Sequence, residues 1–164
     1  MQKKICLLGS FAVGKTSLAE RFVQSIFSDR YRTTVGVRIH KKAIQIGDHV
    51  LSLIIWDLAG EDEFVRLRTA YLRGASGYLL VADGTRPDTL DKAFDLHDRA
   101  RTILGEVPFV FVVNKMDRSD EWSINDEVLK DLGRKGWPII RTSAKSGRGV
   151  EEAFTAIAQK VSCG

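Results

Sequence analysis

The chain has 164 residues, 44% of them hydrophobic and 28% charged, and 25 Lys+Arg against 21 Asp+Glu leave a net charge of +4. A chain of that size forms one domain and buries about 68–70% of its unfolded surface, enough for a core without disulfide or metal staples. Cys6 and Cys163 lie at opposite ends in no ligand or redox spacing, which argues against a disulfide scaffold or cysteine zinc site and for a reducing compartment, the cytoplasm.

Ile5–Leu8 is an apolar run that stops at Gly9, and Lys15–Gln24 follows with helical spacing. Val37–Ile46 and Val50–Trp56 read as strands separated by Gly47-Asp48-His49, a hairpin signal. Then strand and helix alternate: Leu79–Ala82, Pro87–Leu104, Phe109–Val113, Asn125–Leu132, Ile139–Ile140 and Val150–Val161. Short runs that are apolar on every residue suit strands buried on both faces. The pattern predicts an α/β domain over residues 1–164, with about six strands in a mostly parallel sheet, one antiparallel hairpin, and about five helices covering both faces. Ligands of such sheets bind where the strands end, so chemistry is sought just after each strand.

After the first strand comes Gly9-Ser10-Phe11-Ala12-Val13-Gly14-Lys15-Thr16, which fits G-x-x-x-x-G-K-[ST] between a strand and a helix. Backbone N–H groups of Ala12, Val13, Gly14, Lys15, Thr16 and Ser17 make an anion cradle at a helix N-terminus. Lys15 adds a point charge for β and γ phosphates, and the Thr16 hydroxyl can ligate Mg²⁺. Asp57, leaving the hairpin's second strand in Trp56-Asp57-Leu58-Ala59-Gly60-Glu61, can hold Mg²⁺ through water; a helix-capping role is the alternative. Gly60, lacking a Cβ, lets its N–H approach a γ-phosphate.

Asn114-Lys115-Met116-Asp117 follows the fifth strand. A carboxylate at Asp117 accepts from guanine N1 and N2, a donor pair adenine lacks, and the Lys115 stem can lie along the base. Thr142-Ser143-Ala144-Lys145, after the last strand, can offer a backbone N–H to guanine O6. Each is equally a plain strand-to-helix turn when taken alone; their order after successive strands favours one nucleotide site.

GSFAVGKT, WDLAGE, NKMD and TSAK, in that order, resemble the Ras superfamily of small GTPases over residues 3 to 161. Phe22, Phe27, Tyr31–Val37 and Tyr71–Ala75 resemble stretches of its Rab-like branch. The resemblance implies a small G domain of the P-loop NTPase fold that binds GTP or GDP with Mg²⁺ and hydrolyses GTP slowly. Its switches would be residues 30–37 and 58–73, which meet effector, exchange-factor and activating proteins in a chain expected to be monomeric. It implies that Thr34 joins Thr16 and Asp57 on Mg²⁺ and contacts the γ-phosphate, and that Phe27 packs edge-on against guanine or anchors its own loop. The catalytic set would be Lys15, Thr34 and Glu61.

Glu61 stands where the family usually has a water-orienting glutamine. Three roles stay open: general base, poorer orienter of water, or a side chain turned to solvent. Phe11 replaces a small residue of other branches and either packs outward on the switches or narrows the entry for an arginine finger. Arg30 and Arg32 flank the position where large G-protein α subunits carry a catalytic arginine. These departures keep a second reading alive, a guanine-nucleotide module with negligible turnover.

The remaining residues are read as structural. His40, His49 and His97 are assigned to strand, turn and helix surface, Lys41-Lys42 to the solvated face of a strand, and Trp122 and Trp137 to packing. No basic stripe or aromatic RNA-binding motif argues for nucleic acid. Cys163 is followed by Gly164 alone and Gln2 excludes myristoylation, so no direct lipid anchor is expected; a segment of a larger scaffold and a prokaryotic origin stay open.

Overall fold

In the computed structural model, residues 1–23, 29–32, 37–58 and 69–163 are described. Strand β1 (Gln2–Leu8) shows how the sheet is covered. Ile5 and Leu7 point to one apolar layer, Cys6 and Leu8 to the other, and all four are buried. The first layer is closed by α1 (Lys15–Val23) and α5 (Val150–Ser162). The second is closed by α2 (Thr69–Leu72), α3 (Asp88–Leu104) and α4 (Asp126–Arg134).

The remaining strands are β2 (Asp29–Arg32), β3 (Val37–Ile46), β4 (His49–Leu58), β5 (Gly77–Asp83), β6 (Phe109–Asn114) and β7 (Ile139–Arg141). They pair in the order β2-β3-β4-β1-β5-β6-β7, with β4, β1, β5, β6 and β7 parallel and β3 antiparallel to β4. The six expected strands and their hairpin are all present. A short further strand, β2, adds to the edge antiparallel to β3, and the hairpin turn is Gly47-Asp48 alone, with His49 already in β4.

Register sets the ends of the parallel strands along one edge. Leu7 pairs with Asp57, Asp83 with Asn114, and Val113 with Arg141. The carboxyl ends of β1, β4, β5, β6 and β7 therefore lie on the same side. The Phe22 and Phe154 rings stack with centroids 4.2 Å apart, which pins α1, and with it the loop that precedes it, to α5.

The structure corrects the helix-surface assignment of His97. Its ring is buried on α3 beside Phe109 and Trp137, and Tyr78 Oη lies 2.8 Å from its Nδ1. Lys42 is not simply solvated either: its Nζ donates to the Phe22 carbonyl at 2.6 Å and sits over the Phe22 ring. Trp137 packs edge-on against Phe94, Phe109 and Phe111, as a structural residue should. Burial pushes the Cys6 thiol up to about 12, which makes it a core residue rather than a reactive one.

Burial, and after it the neighbouring positive Arg101, hold His97 below the usual histidine value. A depressed folded-state pKa means the unfolded chain binds the proton more readily, so His97 contributes stability above about pH 6.5 that is lost as pH falls below it. Wild-type Tm should fall between pH 7.5 and 5.5, and His97→Gln should show a smaller fall. Thermal unfolding at the two pH values is the check; equal falls would contradict the assignment.

Candidate functional site

The loop between β1 and α1 is shaped by backbone positions that tolerate few side chains. A Cβ on Gly9 would stand 2.6 Å from the Val81 carbonyl oxygen. Gly14 has φ of 101° and faces Asn114 so closely that a Cβ would run into its Nδ2. Ala12 takes φ of 62° although it carries a Cβ, a conformation that needs support from its surroundings. The Leu18 amide donates to the Gly14 carbonyl at 2.9 Å, so the helix begins as the loop ends.

Lys15 is buried and folds back over this loop, its Nζ donating to the Gly9 carbonyl at 3.1 Å and the Ser10 carbonyl at 3.5 Å. The cation is thus held within the loop rather than extended into solvent. Thr16 Oγ1 donates to Asp57 Oδ2 at 2.5 Å, joining the start of α1 to the end of β4. Asp57 is fully buried, and its Oδ1 finds no hydrogen-bond partner among the described residues. An orphaned, buried carboxylate oxygen next to a threonine hydroxyl is a hard-oxygen donor set, which fits Mg²⁺ and suits softer metals poorly.

Asn114, at the end of β6, ties two other segments together. Its Nδ2 donates to the Val13 carbonyl at 3.0 Å, and its Oδ1 accepts from Thr142 Oγ1 at 2.9 Å and from the Ala144 amide at 3.2 Å. Asn114 is 2% exposed; its bonds to Val13 and Thr142 are buried and that to Ala144 partly so. Asp117 stands exposed beyond it, with Oδ1 accepting from Ser143 Oγ at 2.8 Å. Ser143 in turn accepts from the Ser146 amide at 3.0 Å, so the carboxylate that would read the base is aimed by a hydroxyl fixed in the last loop. Ala144 is half-buried and Lys145 exposed in that turn, and Ser17 is exposed on α1.

Sequence reasoning missed Asp83, the last residue of β5 and cross-strand partner of Asn114. It is fully buried, and Lys115 Nζ lies 2.9 Å and Arg86 Nε 3.0 Å from its Oδ2. Burial alone would raise its pKa, but hydrogen bonds from Lys115, Thr85 and Arg86 outweigh that and hold the carboxyl at about 2. Lys115 has φ of 72°, which turns its side chain's root out of strand geometry. A position just past a parallel strand was the available signal; nothing in the local sequence told which basic groups Asp83 would meet.

The structure thus brings Ala12, Val13, Gly14, Lys15, Thr16, Asp57, Asn114, Lys115, Asp117, Ser143 and Ala144 to one edge of the sheet. Phe27, Thr34, Gly60 and Glu61 lie outside the described residues. Phe11 is half exposed at the outer side of the loop.

A family model described as "Ras family" matches residues 4–163. The chain is 34% identical over 168 residues to the Ras-related protein RABG3f of Arabidopsis thaliana, spanning 95% of this chain and 80% of that protein. It is 34% identical to the Ras-related protein Rab-7a of Paramecium octaurelia over 95% of this chain and 79% of the other. To the human Ras-related protein Rab-7L1 it is 33% identical over 96% and 81%. These plant, ciliate and human relatives give no support to a prokaryotic origin.

Proposed function

The chain belongs to the Ras family of small GTPases, Rab-like in its relatives, and from that premise we propose how its own residues serve the family's switch. It binds guanine nucleotide, hydrolyses GTP to GDP and phosphate, and meets regulators and effectors. One observation carries the assignment of the site: Asn114 ties the loop of residues 9–16 to the base-reading loops after β6 and β7. A single ligand with an anionic end and a planar hydrogen-bonding end fits that arrangement.

In this reading the amides of residues 12–17 and the Lys15 ammonium bind the phosphates, with Lys15 leaving the Gly9 and Ser10 carbonyls for the nucleotide. Thr16, Asp57 and Thr34 would hold Mg²⁺, which supplies positive charge against the phosphate oxygens when bound. Asp117 accepts from the guanine edge, oriented by Ser143. Lys115, fixed on Asp83, lies along the base, and the Ala144 or Lys145 amide meets the carbonyl of guanine. Phe27 covers the base edge, and Gly60 approaches the terminal phosphate.

Hydrolysis needs a water placed in line with the γ-phosphate, and we assign that placement to Thr34 and Glu61. Residues 30–37 and 58–73 serve as the switches that effectors, exchange factors and activators contact. We further infer that one G domain covers residues 1–164, that it works as a monomer, and that it acts in the cytoplasm. Free Cys6 and Cys163 support that compartment. Among the described residues no helix is long and apolar enough to cross a membrane.

Single-turnover release of phosphate from GTP-loaded protein tests the hydrolytic assignment. Wild type should release it above the nucleotide's own decay, and Glu61→Ala should be slower by about tenfold or more. Equal rates for wild type, Glu61→Ala and Glu61→Gln would remove Glu61 from the mechanism, while a wild type no faster than free GTP would favour a binding module with negligible turnover. For the base, Asp117→Asn should lower the ratio of GTP to ATP affinity by at least about tenfold, read by competition with a fluorescent nucleotide. An unchanged ratio would overturn the assignment of Asp117.

A further inference from the structure

The turn after β5, Asp83-Gly84-Thr85-Arg86, sends a guanidinium across to the loop of residues 9–16. Arg86 Nη2 donates to the Phe11 carbonyl at 2.8 Å, and its Nε donates to Asp83 Oδ2 at 3.0 Å. Asp83 is itself clamped, since its Oδ1 accepts from the Thr85 amide at 2.8 Å and the Thr85 hydroxyl at 2.7 Å, while Lys115 Nζ shares Oδ2. The guanidinium is therefore held along two edges, one on a fixed buried carboxylate and one on a loop peptide. A planar guanidinium presents its donors from separate nitrogens in a fixed fork, whereas an ammonium offers all of its donors from one point.

The peptide it grips is the strained one. The Phe11–Ala12 peptide leads into Ala12, whose φ of 62° is unusual for a residue with a Cβ. In a planar trans peptide the Phe11 carbonyl and the Ala12 N–H point opposite ways. A donor seated on the carbonyl therefore aims the N–H away from Arg86. Lys15 Nζ, the cation that serves β and γ phosphates in such loops, rests on the Gly9 and Ser10 carbonyls, next to Phe11 in the chain. The peptide under Arg86 thus belongs to the terminal-phosphate end of the cradle.

We propose that Arg86 is a positioning residue for the β and γ phosphates: it fixes the Phe11–Ala12 peptide so that the Ala12 N–H faces them, and through Asp83 couples that peptide to Lys115 of the base-reading loop. The proposal rests on the reading of residues 9–16 as the phosphate loop. It differs from a general packing role in one measurable respect, because its effect depends on how many phosphates the ligand carries.

Affinities of the purified protein for GDP, a non-hydrolysable GTP analogue and GMP, measured by competition against a fluorescent guanine nucleotide, test it. Arg86→Ala should weaken GDP and the GTP analogue about tenfold, as loss of one charge-assisted hydrogen bond implies, and change GMP by less than about twofold. Arg86→Lys, which keeps the charge but not the fork, should weaken GDP about threefold with GMP unchanged, and it carries the test if the alanine variant fails to fold. Unchanged GDP affinity in either folded variant, or GMP weakened as much as GDP, would overturn the proposal. Wild type that binds none of the three would instead overturn the phosphate-loop reading itself.

Discussion

The site depends on one buried amide. Asn114 offers a donor and an acceptor at the same point of the sheet edge, and the structure uses both, the donor on the Val13 carbonyl and the acceptor for Thr142 and Ala144. An amide side chain donates from one atom and accepts at another in one rigid plane without carrying charge, so it can brace a carbonyl on one side and two donors on the other. Because the Asn114 side chain is buried, leaving either end unmatched would cost more than the bonds contribute, so the loops it joins have one mutually satisfied arrangement. Gly14 is where this brace meets the backbone: its missing Cβ is the space that Asn114 fills.

Next to this neutral brace runs a charged one. Asp83 is the neighbour of Asn114 across the β5–β6 pair, and it gathers Lys115 from one loop and Arg86 from another. Lys115 neutralises a carboxylate that burial would otherwise penalise, and the same contact fixes the lysine's direction. Thr16 and Asp57 add a third link, between α1 and β4. These links cross between segments distant in sequence but meet at strand ends that register has already aligned, which is why a parallel sheet is a suitable base for a site made of loops.

The strands and most helices were legible because burial on both faces leaves runs such as Leu79–Ala82 without a polar break, and because the glycine-lysine-threonine spacing after β1 has a direct physical reason. The hairpin was legible in Gly47-Asp48, though one residue too long. What was not legible is how distant side chains pair. Asn114 was read as a nucleotide contact, and its bracing role spans 101 residues to Val13. Asp83 stands just past a run legible as a strand, but nothing local names its partners, and Arg86 reaches Phe11 across 75 residues. His97 was misread because a histidine on a helix says nothing of Tyr78 on the strand beneath it. The four-residue strand β2 is set by pairing with β3 rather than by its own apolar pattern.

Family membership accounts for the frame, and the Arg86 contact to the Phe11 carbonyl adds a link at the loop of residues 9–16. All of it presupposes that the phosphate and base ends are held at a fixed separation by Asn114. The GDP dissociation rate of Asn114→Ala tests this most directly, with cooperative thermal unfolding as the control for folding. Loss of the buried bonds, about 1 kcal/mol each, predicts release faster by about a hundredfold; a folded variant that releases GDP within about threefold of wild type would contradict the account.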